Sequence, residues 1–134
     1  MRIVLDTNVF VSGVFFSGPP YQILKAWQEG KFELAVSPEI LDEYQRVGET
    51  LAEEHPILDL KPVLEYVVRD ARVFSAPPLP EAVCEDPDDD KFFACALASG
   101  CKMIVSGDKH LLKVSGYQGI QVLKPREFVT QYLS

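Results

Sequence analysis

Residues 1–13 read MRIVLDTNVFVSG, and the chain is organised around them. Arg2 to Leu5 form a short, β-branched apolar run that meets Asp6, Thr7 and Asn8. Such a run, bounded by small polar residues, predicts a fully buried strand of a parallel sheet. Asp6 then falls at the carboxyl end of the strand, where the loops of an open α/β sheet diverge and leave a crevice for ligands. A carboxylate this near a buried strand costs free energy unless it is paired, hydrogen-bonded or bound to a cation. No basic residue follows closely enough in sequence to be its obvious partner.

Working outward, Pro19-Pro20 opens a helix that Gly30 stops, and Phe32 to Val36 (FELAV) is a second strand. Ser37-Pro38-Glu39 starts the next helix, with Ser37 as N-cap and Glu39 near the positive helix end. At about 100° per residue, Ile40, Leu41, Tyr44, Val47 and Leu51 share its inward face. Asp42 points to water, whereas Glu43 sits at the edge of the buried face. After His55-Pro56, residues 59–69 predict a further helix with Leu64, Val67 and Val68 inward. Arg72 to Phe74 predicts a short strand, followed by the connector APPLP at 76–80.

The second informative stretch runs from Cys84 to Leu112, CEDPDDDKFFACALASGCKMIVSGDKHLL. Asp86-Pro87 supplies an N-cap and first turn, after which Phe92, Phe93, Ala96 and Leu97 define an inward face that ends near Gly100. Asp89 shares that face, Asp90 lies on its flank, and Asp88 and Lys91 project more nearly outward. Acidic residues at a helix start satisfy free N–H groups and the helix dipole. Four carboxylates in five positions exceed that need and repel one another, which a bound cation would relieve. Lys102 to Ser106 is another strand, and Asp108 repeats at its end the position of Asp6. A last strand near 120–122 and a terminal helix from Pro125, with Phe128, Val129 and Tyr132 inward, complete the chain. Strands alternating with helices imply a three-layer α/β/α fold around a mainly parallel sheet of about five strands.

Composition is consistent with one globular domain over residues 1–134: 47% of residues are hydrophobic and 25% charged. No apolar run approaches the roughly 20 residues that span a bilayer. Met1-Arg2 leads straight into the strand without a signal-peptide pattern, so the expected compartment is the cytoplasm. Cys84, Cys95 and Cys101 lack C-x-x-C spacing and suggest neither a disulfide framework nor a zinc site. A net charge of -7 argues against simple electrostatic coating of nucleic acid, but not against an acidic pocket neutralised by divalent cations.

Parallel topology puts Asp6 and Asp108 on one sheet edge, with Glu43, Asp89 and Asp90 able to reach it. A cluster of three or four carboxylates without Cys or His suits hard ions such as Mg2+ or Mn2+, which can activate water for in-line displacement at phosphorus. Phosphodiester hydrolysis is the reaction class this suggests.

The segments LDTNVF, SPEILDEY, DPDDDKFFACALA and IVSGDKHLL resemble, in order, the motifs of the PIN-domain nucleases, in the branch of toxin components of toxin-antitoxin pairs. The resemblance implies that Asp6, Glu43, Asp89 and Asp108 bind one or two Mg2+ or Mn2+ ions. It implies too that Asn8 and Ser106 orient those acids or the attacking water. Asp89 is chosen over Asp90 by the spacing to Gly100 that the family shows and by its helical face, and Asp90 could share or take the role. Where the family often has a second Asp, this chain has His110, read as a surface or hydrogen-bonded histidine. The resemblance further implies an RNA substrate, a homodimer and a small antitoxin that blocks the site. Arg2, Lys91, Lys109 and Lys113 are candidate contacts to RNA phosphates, although no basic stripe is evident.

Two other readings compete with the endoribonuclease. A phosphatase using Asp6 as nucleophile would want a further acid two residues on, where Asn8 stands. A protein that binds metal and RNA, or a partner, without turnover would be expected to lack one of the four acids.

Overall fold

The computed structural model describes residues 1–56 and 58–133. Its sheet has five parallel strands: β1 (Arg2–Leu5), β2 (Glu33–Val36), β3 (Arg72–Val73), β4 (Met103–Val105) and β5 (Gln121–Leu123). They lie in the order β3-β2-β1-β4-β5. Ile3, Val4, Leu5, Leu34, Ala35, Val36, Ile104 and Val105 are wholly buried, which is why these strands read as unbroken apolar runs. The register sets Val4 against Ile104 and Leu5 against Val105, so β1 and β4 end side by side.

The helices are α1 (Thr7–Phe15), α2 (Pro19–Gln28), α3 (Pro38–Glu54), α4 (Leu60–Asp70), α5 (Asp90–Ser99), α6 (Lys109–Lys113) and α7 (Pro125–Phe128). Together with the sheet they make the expected three-layer α/β/α arrangement. A 3-10 turn over Pro87–Asp89 leads into α5, and α7 continues as π-helical turns over Val129–Leu133.

Local chemistry sets the boundaries. Ser37 Oγ accepts from the Ile40 N–H at 3.2 Å, and Asp59 and Asp86 cap α4 and the 3-10 turn in the same way. Gly100, at φ 72°, closes α5 in the left-handed conformation that costs glycine least. The α1 helix is an addition to the elements that the sequence pattern predicts. It follows β1 after the single residue Asp6, whose carbonyl accepts from the Val9 and Phe10 N–H groups at 3.0 and 3.1 Å. Gly13 lets α2 approach α1: a Cβ there would lie 2.7 Å from both the Pro20 carbonyl oxygen and Leu24 Cδ1.

Three expected inward side chains face water instead. Val68 is 61% exposed, Leu97 40% and Tyr132 43%. In α4 the face that packs is Leu60, Val63, Leu64 and Val67, so Val68 lies past its edge. Leu97 likewise falls outside the buried run Phe92–Ala96, and Tyr132 only laps the Phe128 ring, centroids 5.2 Å apart.

Tyr44 ties α3 to the sheet. Its ring stacks on Phe10 of α1 at 4.2 Å, and its hydroxyl, fully buried, donates to the Leu5 carbonyl at 2.6 Å. Tyr44→Phe keeps the stack and strands that bond's acceptor, so it should lower stability by about 1–3 kcal/mol. Denaturant unfolding of the purified variant checks this; an unchanged midpoint would mean the bond contributes nothing.

Candidate active site

The strand order reverses beside β1, since the chain first steps outward through β2 and β3 and later returns to place β4 and β5 on the other flank. The carboxyl ends of the two strands flanking such a switch point open a crevice. Asp6 follows β1 and Asp108 follows β4, so each sits at that opening.

Asp6 is 5% exposed. Although it occupies the N-cap position of α1, its side chain makes no cap bond and instead accepts from Ser106 Oγ at 2.7 Å. The same Ser106 oxygen accepts from the Asp108 N–H at 2.9 Å, so one buried hydroxyl joins the two strand ends. Asp108 Oδ1 accepts from the His110 N–H at 2.8 Å and caps α6. Burial raises the Asp6 pKa; the Ser106 bond opposes this, and the charges of Asp108 and Glu43 reinforce it.

The four aspartates around the start of α5 divide their work. Asp86 caps the 3-10 turn, while Asp88 is exposed and ion-paired to Lys91 at 3.1 Å, which lowers its pKa. Asp90 accepts from the Val83 N–H at 3.2 Å and the Cys84 N–H at 2.7 Å, fastening the incoming chain to the helix. Asp89 is left half-buried in the crevice. Its pKa is pushed up to about 6, by burial first and then by the charges of Asp108, Asp86, Asp6 and Asp88.

Glu43 reaches this region from α3, with its side chain 13% exposed. The Thr7 hydroxyl donates to Oε2, and Lys91 Nζ lies 2.6 Å from Oε1. Lys91 is therefore not the outward side chain expected from its helical phase: it is 14% exposed, with its ammonium between Glu43 and Asp88. Burial works to lower its pKa, but the hydrogen bonds to the two carboxylates outweigh this and the pKa is raised. Asn8 is exposed on the first turn of α1, and the neighbour that orients an acid is Thr7.

His110 lies beside two of these acids. Asp89, Asp108 and His110 each offer a ligand atom, and these atoms lie within 4.8 Å of one another. His110 Nδ1 is buried without a hydrogen-bond partner among the described residues and stands 3.8 Å from Glu85 Oε2. Carboxylate oxygens with one imidazole and unrelieved negative charge are a donor set that fits a divalent cation. A separate cavity of about 840 Å3, between α3 and α4 and lined by Leu58, Leu60, Leu64 and Val68, contains none of these acids.

Because Asp89 holds its proton more tightly folded than unfolded, its contribution favours the fold below about pH 4 and is lost as pH rises toward about 6. In EDTA, Asp89→Asn should therefore gain Tm relative to the native chain between pH 4 and pH 7. A difference in Tm that stays constant across that range would contradict the assignment.

Residues 2–110 match the family model described as PIN domain, a span that holds both strand-end aspartates and the whole acidic run. No match to a curated protein reaches significance. PIN domains are in general metal-dependent nucleases, and the crevice offers the acids such chemistry needs. With its all-parallel sheet and a model match over most of its length, the chain belongs to the PIN-domain family.

Proposed function

We propose that the chain is an endoribonuclease that uses Mg2+ or Mn2+ to hydrolyse internal phosphodiester bonds of RNA, and that it is the toxin of a toxin-antitoxin pair. The observation that carries this reading is the convergence of Asp6, Asp89 and Asp108 on one crevice at the switch point of the sheet. Those three acids would hold the ion, with Glu43 as a fourth and His110 beside them. When bound, a divalent ion supplies Lewis-acid activation of a phosphoryl oxygen and lowers the pKa of a water.

The chain's own residues do the rest. Ser106 fixes the orientation of Asp6, Thr7 that of Glu43, and Asp90 keeps the start of α5 in place so that Asp89 faces the crevice. Lys109 and Lys113 on α6 are exposed next to Asp108 and are the cations best placed for RNA phosphates. Arg2 is poorly placed for that task, because its guanidinium is held by Glu33, the Ser99 carbonyl and the Phe74 ring. With so little basic surface, the substrate this reading favours is single-stranded or looped RNA whose bases can enter the crevice. Its partners are a second copy of the chain and a small antitoxin protein, and its compartment is the cytoplasm.

A second reading draws on the Lys91–Glu43 ion pair. With one acid already neutralised by the protein, the crevice could bind metal and RNA without turning them over.

Cleavage of a mixed pool of structured RNA in Mg2+ and Mn2+ separates the two. Internal cleavage that disappears in EDTA and in Asp6→Asn supports the nuclease; RNA binding without cleavage in Mn2+ supports the second reading. Asp6→Asn should keep its fold by circular dichroism, and retained cleavage would sink the role given to Asp6. On α3, Asp42→Ala should leave the rate within about twofold, as surface substitutions do, while Glu43→Ala reduces it severely. Equal effects of those two substitutions would remove Glu43 from the site.

A further inference from the structure

Lys91 is the cation that the fold sets inside the acidic centre. Its ammonium lies 2.6 Å from Glu43 and 3.1 Å from Asp88, and its side chain is 14% exposed. Both carboxylate oxygens of Glu43 are thereby engaged by the protein itself, one by Lys91 and the other by Thr7. The two partners differ in freedom. Thr7 is buried at the start of α1 on a short side chain. Lys91 sits at the second position of α5 on a flexible four-carbon stem, with the exposed Asp88 available as a second partner.

A cation that drew Glu43 to Asp6, Asp89 and Asp108 would compete with these partners for its oxygens, and Lys91 is the one able to leave. An ion pair removed from water is costly to form, and its net stabilisation is small. Here, however, it also screens one carboxylate from the repulsion of the others.

We propose that Lys91 is a displaceable counter-charge: it occupies Glu43 in the metal-free protein and yields it when a divalent cation binds, leaving its ammonium beside the crevice to meet a substrate phosphate. No bond is made or broken in the exchange, and Lys91 stays protonated throughout. The inference rests on the nuclease reading of the same crevice. It makes Lys91 a positioning residue for Glu43, and it sets the metal affinity of the protein below what the acids alone would give.

The test is a calorimetric titration of the full chain with Mn2+, without RNA, on the native protein, Lys91→Met, Lys91→Gln, Glu43→Gln and the Lys91→Met/Glu43→Gln double variant. Thermal unfolding establishes that each is folded. Loss of a competing positive charge at this range should tighten Mn2+ binding by about tenfold in both Lys91 variants. In the Glu43→Gln background the same change should stay within about twofold, because the competition is then already gone. Unchanged or weakened binding in the Lys91 variants overturns the proposal. So does equal tightening in both backgrounds, which would make Lys91 a general charge and not a competitor for Glu43.

Labelling of the native chain supplies a readout that needs no variant. Lys91 should react faster with an amine-acylating reagent, followed by mass spectrometry, when Mn2+ is present, and an unaltered rate overturns the exchange. A native chain that binds no Mn2+ defeats the metal reading of the crevice, and this inference with it. A chain that binds Mn2+ but fails the Lys91 comparisons defeats this inference alone.

Discussion

Carboxylates repel one another, and this fold gives its own little room to separate. Parallel strands send every carboxyl end to one edge, and the reversal of strand order beside β1 brings the residues after β1 and β4 side by side. Burial then strips away the water that would screen them. The contacts around the crevice can be understood as responses to that constraint: the Ser106 hydroxyl set between Asp6 and the Asp108 backbone, the Thr7 hydroxyl and Lys91 ammonium on Glu43, the Asp90 carboxylate turned away onto backbone N–H groups. These contacts do not fully offset burial and repulsion at Asp6 and Asp89, whose pKa values are both raised. A local excess of negative charge of this kind fits a site that takes its positive charge from solution.

Much of the fold was legible because its signals are local. The strands Arg2–Leu5, Glu33–Val36 and Met103–Val105 are buried on both faces, so their sequences are apolar without interruption. Ser37 and Asp86 announced the turns they cap, since a capping side chain reaches only two or three residues ahead. The helix Thr7–Phe15 escaped notice for the opposite reason: Thr7, Val9, Phe10, Val11 and Gly13 are all buried, and a helix enclosed on most sides leaves little polar face to mark its period. Periodicity also fixes an angle around a helix but not where its neighbour ends. Val68, Leu97 and Tyr132 are apolar side chains just beyond such an edge.

Within the crevice, legibility followed sequence separation. Helical phase distinguished Asp89 from Asp88 and Glu43 from Asp42, because those differences are set within one helical turn. The partners came from elsewhere in the chain. Thr7 meets Glu43 across 36 residues and Lys91 meets it across 48, and neither pairing leaves a trace in local pattern. Lys91 shows the difficulty well, since its helical phase predicts an outward side chain while its ammonium is held by Glu43 and Asp88 and the side chain is only 14% exposed. His110 reads from its motif as a surface or hydrogen-bonded histidine, and the cap that Asp108 places on α6 sets it beside two acids.

The junction at Asp6 is one residue long, with a strand on one side and a helix on the other. Most connections between such elements contain slack that absorbs insertions and deletions over evolutionary time. This one has none. Adding or removing a residue between Leu5 and Thr7 would turn α1 by about 100° about its axis relative to β1, taking Phe10 off Tyr44 and the Thr7 hydroxyl off Glu43 together. Length variation among descendants of this chain should therefore accumulate elsewhere, in segments such as the coil around residues 76–82, and the first fifteen residues should change by substitution alone.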